Sequence, residues 1–163
     1  MRDLETYAAI CMAEQRRLHI PFSENTEFRV NTRAKKRFGQ CQKQGDRYFI
    51  NISAFMLDER TGLNGLKSTI HHELLHTCPD CMNHGSRWKT YAALLNRTYG
   101  YSISTTNSPD EYRVPQELQL SARYILRCQK CGQEYKRQKM TATVSHPEKY
   151  HCGRCGGDLV RVK

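Results

Sequence analysis

The stretch Ile70-His71-His72-Glu73-Leu74-Leu75-His76 contains the pattern H-E-x-x-H and carries most of the information on fold and chemistry. Apolar residues recur every fourth position through it, which predicts an amphipathic helix over 64–77. A helix advances by about 100° per residue, so His72 and His76 lie one turn apart on the same face. Both imidazoles could therefore bind a single metal ion. The apolar residues of the helix are expected in a core: Leu66, Ile70 and Leu74.

Glu73 lies beside the two histidines and is the expected general base. Zinc is the expected ion, because it lowers the pKa of a bound water towards neutrality and a neighbouring carboxylate can then take the proton during attack on a carbonyl. A catalytic zinc has three protein ligands and an open position. His84 is the predicted third ligand, because only a short loop separates it from the helix.

Other residues near the motif leave alternatives open. Cys78 and Cys81 form a C-x-x-C pair just after the helix, and they could pack, form a redox disulfide or bind a separate metal ion. His71 has no histidine four residues further on, so it is interpreted as a bystander or as a residue that supports the ligands. A downstream glutamate, Glu111 or Glu117, is an alternative third ligand.

The C-terminal part of the chain has a second chemical signal, C-x2-C-x20-C-x2-C with a glycine after each pair. This spacing is typical of a zinc ribbon, in which four thiolates complete a tetrahedron and leave no open position. The predicted ligands are Cys128, Cys131, Cys152 and Cys155. His151 adjoins the second pair and could replace one of them. Because a segment as short as residues 119–163 buries little apolar surface, zinc binding should supply most of its folding free energy.

The chain is basic, with 26 Lys and Arg against 16 Asp and Glu, a net charge of +10 over 163 residues. Most of the excess positive charge lies in residues 119–163, which contain ten basic and three acidic residues. A basic surface gains affinity for nucleic acid by releasing counterions from phosphates. Three tyrosines lie among these basic residues and could stack on unpaired bases: Tyr124, Tyr135 and Tyr150. We expect nucleic-acid contact; a solvated basic face is the alternative.

Composition excludes several classes of protein. An apolar content of 38% argues against wholesale disorder, and no apolar run is long enough to span a membrane, so no membrane partner is expected. The N-terminal acidic residues do not fit a secretory signal. We expect a cytoplasmic location, nucleoid-associated or nuclear if the protein binds DNA. Thiols stay reduced there, and paired cysteines then favour metal or redox chemistry over structural disulfides.

The rest of the pattern predicts two domains, 1–118 and 119–163. We expect helices over 3–18, 64–77 and 86–99, strands within 28–53, and a linker or wrapped loop over 102–117. Gly100 is the expected stop of the third helix.

The motif and its flanking residues resemble the SprT-like (Spartan-type) zinc metalloproteases. In that family a loop and a third histidine in an H-G-x-x-aromatic context follow the H-E-x-x-H helix, and here they are His84-Gly85-Ser86-Arg87-Trp88. Upstream, Arg37-Phe38-Gly39-Gln40-Cys41 and Tyr48-Phe49-Ile50-Asn51-Ile52-Ser53 are similar to the family's Gly-x-Cys turn and following strand. The resemblance covers residues 4–160, with a short inter-ligand loop that contains Cys78 and Cys81.

The resemblance implies an α+β fold: a small zincin-type metalloprotease domain with helices packed on a short antiparallel sheet, followed by a C-terminal β zinc ribbon. It implies a catalytic Zn²⁺, and the spacing of the four cysteines predicts a second, structural Zn²⁺. Eukaryotic members cleave proteins crosslinked to DNA, so the resemblance also implies a role in DNA repair with single-stranded or damaged DNA as partner.

The expected function is therefore a zinc-dependent endopeptidase acting on DNA-associated or DNA-crosslinked proteins. The strand at 48–53 is expected to pair with the extended backbone of the protein substrate. One alternative is a non-catalytic zinc-containing DNA-binding protein, in which the metal helix is structural. Another is a peptidase that ignores nucleic acid and uses the ribbon to stabilise folding or to dock proteins.

Overall fold

A computed structural model describes residues 1–119 and 121–163 of the chain. Residue 120, which falls within the predicted C-terminal domain, lies outside the described residues. The chain forms two compact units, Met1–Gln119 and Leu120–Lys163. Helices and small sheets occur together, so the predicted α+β class is confirmed. The boundary after residue 118, as a boundary between independently folding domains, stays a prediction.

Three helices of the first unit lie where the periodicity predicts them: α1 (Leu4–Arg17), α2 (Leu63–Leu75) and α3 (Ser86–Tyr99). At the start of α1 the Asp3 carboxylate accepts a hydrogen bond from the Thr6 N–H at 2.9 Å, which satisfies a free donor of the first turn. The chain leaves α3 through Gly100 in the left-handed conformation, with φ 71°. These local signals set the ends of the helices.

The sheet of the first unit is mixed rather than antiparallel. Its strands are β1 (Thr26–Asn31), β2 (Gly39–Gln44) and β3 (Arg47–Ser53), in the order β1-β3-β2. β3 turns back from β2 and inserts between the first two strands, so it runs parallel to β1. The expectation of an antiparallel sheet is therefore wrong for this pair.

The strand order β1-β3-β2 also contradicts the expected pairing of residues 48–53 with a substrate. β3 has a neighbouring strand on each side, so its backbone is not free to pair with a substrate, as we expected for 48–53. The strands with an open side are β1 and β2.

Two apolar clusters meet at α2. Leu66, Ile70 and Leu74 are fully buried and pack in one cluster with Ile50 and Ile52 of β3. The second cluster joins Leu75 to α3, through apolar side chains that include Trp88 and Leu95. Each such side chain contributes about 1.5–3 kcal/mol on burial, so α2 is held firmly and its histidine face is presented in one orientation.

Residues 102–117 wrap onto the first unit instead of linking two units. Ile103, Tyr112 and Val114 are buried, and the last two join the first apolar cluster. The N–H of Gly62 donates to the carbonyl of Tyr112 at 3.1 Å, which ties this segment to the start of α2. The wrapped loop, one of the two predicted alternatives, is the one observed.

The second unit contains the antiparallel strands β4 (Tyr124–Cys128), β5 (Glu134–Arg137) and β6 (Leu159–Arg161), in the order β5-β4-β6. A single-turn helix, α4 (Ala142–Ser145), lies between β5 and β6. The main apolar cluster is small and consists largely of cysteines with Leu159 and Tyr135. Among the described residues of the whole chain, no helix has the length and apolarity that crossing a bilayer requires.

Candidate metal centres

Three histidines of the first unit converge. The Nε2 atoms of His72 and His84 are 3.0 Å apart, and the ring centroids of His76 and His84 are 4.8 Å apart. One nitrogen of each of the three rings lies within 4.8 Å of the others. A tetrahedral zinc with Zn–N bonds of about 2.0–2.1 Å places its nitrogens roughly 3.3 Å apart. The three residues therefore fit a single ion of this kind.

Helix α2 positions two of the three rings, and a loop positions the third. His72 lies on the last turns of α2, and His76 caps that helix with φ −67° and ψ −13°, so the one-turn relation between them is kept. The Nδ1–H of His72 donates to the carbonyl of Ser104 at 3.0 Å, and the Nδ1–H of His76 donates to the carbonyl of Cys81 at 2.8 Å. These bonds fix the tautomer and leave Nε2 free to bind a metal. His84 comes from the loop before α3.

Trp88 forms one wall of the histidine group. Its ring centroid is 4.5 Å from that of His84 and 4.9 Å from that of His72, and the residue is 1% exposed. The packing keeps water from one side of the imidazoles and limits their rotation. The sequence contained a signal for this residue, the aromatic position after His84-Gly85, but the periodicity of α3 predicted only a place in the core.

The lowered pKa values of the three histidines favour the neutral form, which can bind a cation. Burial lowers the pKa of His72 to about 4, and the charges that His76 and His84 would carry act in the same direction. Burial also lowers the pKa of His76 and of His84. All three rings are therefore neutral at pH 7, which is the form that ligates metal.

Glu73 is buried beside the group, with 7% of its surface exposed. Burial raises the pKa of Glu73 to about 7, although the Cys41 backbone N–H and the charge of Arg37 act in the opposite direction. A divalent cation at the histidines would lower that pKa again. The carboxylate packs against Gly39 so closely that a Cβ there would come within 2.7 Å of the Glu73 Cγ. A glycine at the start of β2 thus makes room for this side chain.

A cleft of about 280 Å³ opens beside His72 and Glu73. Its lining also includes two segments of chain, residues 36–39 and residues 104–107, together with Thr69 and Tyr112. Glu73 is the only acidic residue among those that line it. The cleft therefore brings a candidate general base and a candidate metal ligand to one accessible space.

The alternative third ligands lie elsewhere. Glu111 is exposed, and its carboxylate accepts a hydrogen bond from the Ser108 N–H at 2.5 Å. Glu117 is also exposed. Within residues 1–119 and 121–163, neither glutamate belongs to a group of three or more residues that could hold a metal ion.

Cys78 and Cys81 are buried in the second apolar cluster as free thiols. The Cys78 thiol hydrogen-bonds the carbonyl of Pro21, and burial raises the pKa of Cys78 to about 12. A thiol in this state is a poor nucleophile and a poor ligand. Of the three open alternatives, packing is the one that these contacts favour.

His71 supports the metal helix. Its Nε2 lies 2.8 Å from a carboxylate oxygen of Glu14, and its Nδ1 lies 3.1 Å from the amide nitrogen of Gln15. The ring is fully buried between α1 and α2. His71, the neighbour of His72 on α2, thus connects α2 to α1. A further group of metal-ligating atoms consists of Cys11, Glu14 and His71. In this group the Glu14 carboxylate already forms an ion pair with Lys67, at 2.5 Å.

The second unit brings its four cysteines together. Cys128 and Cys155 have sulfurs 3.5 Å apart, and those of Cys131 and Cys152 are 3.6 Å apart. Zn–S bonds of about 2.3 Å imply sulfurs roughly 3.8 Å apart, so the four thiols could hold one ion. His151 is exposed and outside this group, with its Nδ1 3.3 Å from an Asp158 oxygen.

Tyr135 belongs to the cysteine group and is not a free stacking platform. Its O–H donates to the sulfur of Cys152 at 3.1 Å and lowers the pKa of Cys152 to about 6. A thiolate at this position is therefore accessible at neutral pH even before a metal binds. Tyr124 is half-buried and Tyr150 is exposed, so Tyr150 is the tyrosine best placed for stacking.

Fold and sites together define a mixed α+β protein whose candidate metal groups include three histidines contributed by an H-E-x-x-H helix and the loop after it, and four cysteines in the second unit. A model of the SprT-like family matches residues 4–108, and the chain belongs to this family. Protein SprT-like from Lactiplantibacillus plantarum is 29% identical over 168 residues, which cover 99% of this chain and 100% of that protein. The resemblance drawn from the sequence is confirmed.

Proposed function

We propose that this chain is a zinc-dependent endopeptidase of zincin type. His72, His76 and His84 would hold a catalytic zinc, and a structural zinc would lie among the four cysteines of the second unit. The observation that carries the proposal is the convergence of three neutral imidazoles beside the buried carboxylate of Glu73 at an open cleft. Zinc, when bound, supplies a Lewis acid that polarises the substrate carbonyl and makes water easier to deprotonate.

The chain's own groups do the remaining chemistry. Glu73 takes a proton from the attacking water and passes it to the leaving amine, the two roles of a general acid–base residue. Because Glu73 is largely buried, the local dielectric is low and the electrostatic interactions of its carboxylate are strong. Ser104 and Cys81 keep the imidazoles oriented through their carbonyls, and Trp88 restricts their movement.

The substrate backbone is proposed to lie along β2. This strand is at one side of the sheet, and its first residue, Gly39, contacts Glu73. An extended peptide added to that side would form strand-like hydrogen bonds and bring its carbonyl towards the histidines.

The test is cleavage of an unstructured protein such as casein by the zinc-loaded full chain and by Glu73→Gln. We expect the substitution to lower the cleavage rate by about 10²–10⁴-fold, because it removes the proton acceptor, with both zinc ions retained by elemental analysis. Glu111→Gln, an exposed glutamate of the same unit, is the matched control and should cleave like wild type. Undiminished cleavage by a folded, zinc-loaded Glu73→Gln protein would contradict the proposal.

We also propose that the second unit docks on single-stranded or damaged DNA, so that the substrates are DNA-associated or DNA-crosslinked proteins in a cytoplasmic, nucleoid or nuclear setting. Its ten basic side chains are all exposed. Arg127 pairs with Glu134 at 2.7 Å, and among the described residues no carboxylate lies within the 4.0 Å ion-pair distance of the other nine. The alternative, a non-catalytic zinc-containing DNA-binding protein, predicts full function in Glu73→Gln.

A further inference from the structure

The connection between β1 and β2 carries four basic residues, Arg33, Lys35, Lys36 and Arg37, which we call the basic connection. All four side chains are exposed. The last two line the cleft beside Glu73, whereas the first two do not. The basic connection is thus divided into a half inside the cleft and a half outside it.

These cations lack an ion-pair partner among the described residues. Arg37 donates to the amide oxygen of Gln40 at 2.6 Å. In the part of the chain that the structure describes, no carboxylate lies within the 4.0 Å ion-pair distance of any of the four. Residues 104–107, which also line the cleft, are neutral and offer hydroxyl and amide groups. The cleft lining therefore has two positive charges that are available to a ligand.

The backbone that presents these charges is anchored. The N–H of Ser53 donates to the carbonyl of Phe38 at 2.9 Å, and its hydroxyl donates to the carbonyl of Arg37 at 2.5 Å. Ser53 is 1% exposed, and the Phe38 ring packs 5.1 Å from that of Tyr112. An anchored backbone reduces the ordering entropy that binding costs, so the backbone of Arg37, the residue next to Lys36, starts from a defined place beside the cleft.

We propose that Lys36 and Arg37 select protein substrates that carry an aspartate or glutamate close to the bond to be cleaved; this rests on the proposed peptidase function. A carboxylate entering the cleft gains charge-assisted hydrogen bonds from these two side chains, whereas a substrate lysine or arginine is repelled. A peptide fits this position better than a nucleic-acid phosphate, because the two cations line the same cleft as His72 and Glu73, the residues of the proposed peptide chemistry.

The experiment is a digest of a mixed peptide library by the zinc-loaded full chain, with cleavage sites mapped by mass spectrometry. Wild type should favour Asp and Glu over Asn and Gln near the cleaved bond by about three- to tenfold, the range that one or two solvent-exposed ion pairs give. Lys36→Gln with Arg37→Gln should remove this preference. The matched control, Arg33→Gln with Lys35→Gln, changes the same charge in the same connection and should keep it.

A binding measurement provides a readout without turnover. In the zinc-loaded Glu73→Gln protein, a labelled peptide with Glu should bind about three- to tenfold more tightly than its Gln counterpart at low salt, and adding the Lys36→Gln and Arg37→Gln changes should remove the difference.

The outcomes separate the two proposals. Cleavage by wild type without acidic enrichment would overturn the inference and leave the peptidase function standing. No cleavage of any peptide by wild type would overturn both. Loss of single-stranded oligonucleotide affinity in Lys36→Gln with Arg37→Gln, with peptide preference unchanged, would show that these residues bind phosphate and would overturn the inference.

Discussion

At the scale of single residues, the contact between Gly39 and Glu73 links the sheet to the proposed chemistry. The carboxylate occupies the space where any other residue would place its Cβ. Position 39 therefore helps to determine where the proposed proton acceptor, Glu73, lies, although Gly39 has no side chain of its own. This dependence is invisible in the H-E-x-x-H pattern, because the two residues are far apart in sequence.

We expect Gly39→Ala to displace the Glu73 side chain and lower peptide cleavage by about 10²-fold, since a shift of about 1 Å in a catalytic group has such an effect. Zinc content should stay unchanged, because the histidines do not contact this position. The measurement is the cleavage rate together with elemental analysis.

Gly100→Ala is the control for this prediction. Gly100 has φ +71° and open space around it, so alanine should lower the free energy of unfolding by about 1 kcal/mol through backbone strain without changing cleavage. Normal cleavage by Gly39→Ala would contradict the assigned role of Glu73.

At the scale of secondary-structure elements, a half-buried carboxylate joins α1 to α2. Glu14 accepts hydrogen bonds from Lys67 at 2.5 Å, from His71 at 2.8 Å and from the Tyr101 hydroxyl at 2.8 Å. Burial opposes the ionisation of Glu14, but these three bonds outweigh it and lower the pKa of Glu14 from 4.5 to about 2. The network thus holds the helix that carries the candidate ligands.

We expect Glu14→Gln to lower the free energy of unfolding by about 1–3 kcal/mol at pH 7, because the Lys67 ammonium loses its anionic partner and one of the two accepting oxygens becomes an NH₂ donor. The folded pKa of Glu14 is lower than the unfolded one, so this contribution is fully present above about pH 4.5 and is lost as the pH falls towards 2. Urea denaturation of both proteins across this range should show a difference that shrinks with acid. Zinc loss at low pH affects both alike.

Glu24→Gln is the matched control, because Glu24 pairs with Arg16 on the exposed surface. It should change the free energy of unfolding by less than about 1 kcal/mol. A difference between wild type and Glu14→Gln that does not vary with pH would contradict the stabilising role of the ionised network.

At the scale of the whole molecule, the two compact units have separate apolar clusters and separate candidate metal groups. The first has a large apolar core of its own, whereas the second has little besides its cysteines. Metal should therefore be needed for folding in the second unit and mainly for chemistry in the first.

We expect Cys152→Ser to lose one zinc and to unfold residues 121–163, while the first unit keeps its structure. His76→Ala should also lose one zinc but leave residues 121–163 protected, because their core is independent of the histidines. Hydrogen exchange followed by mass spectrometry measures both. Protection of residues 121–163 in zinc-free Cys152→Ser protein would contradict this view.

The charge distribution predicts salt-dependent binding of a single-stranded oligonucleotide by the second unit. The slope of log affinity against log salt changes by about 0.7 for each phosphate contact, so Lys130→Gln with Arg154→Gln should make it shallower by roughly 1.4. The control Arg17→Gln with Arg97→Gln changes two exposed residues of the first unit and should leave the slope unaltered. A flat salt dependence in wild type would favour the peptidase that ignores nucleic acid.

Sequence periodicity predicted the three long helices closely, because helix formation reports on residues only a few positions apart. The buried face of α2 followed for the same reason. The direction of β1 relative to its neighbour could not be predicted, since it depends on β3 inserting between β1 and β2, and the pattern within each strand does not specify that order. The wall formed by Trp88 and the support from Glu14 were likewise missed, because each requires contacts between elements.

The sequence by itself determined the relation between His72 and His76 and the two cysteine pairs, because backbone geometry alone relates residues three or four positions apart. Only the tertiary structure brought His84 to them, placed Gly39 against Glu73 and divided the basic connection between the cleft and the outside. These distances depend on where the loops and β3 lie relative to α2, and the packing of the whole first unit sets those positions.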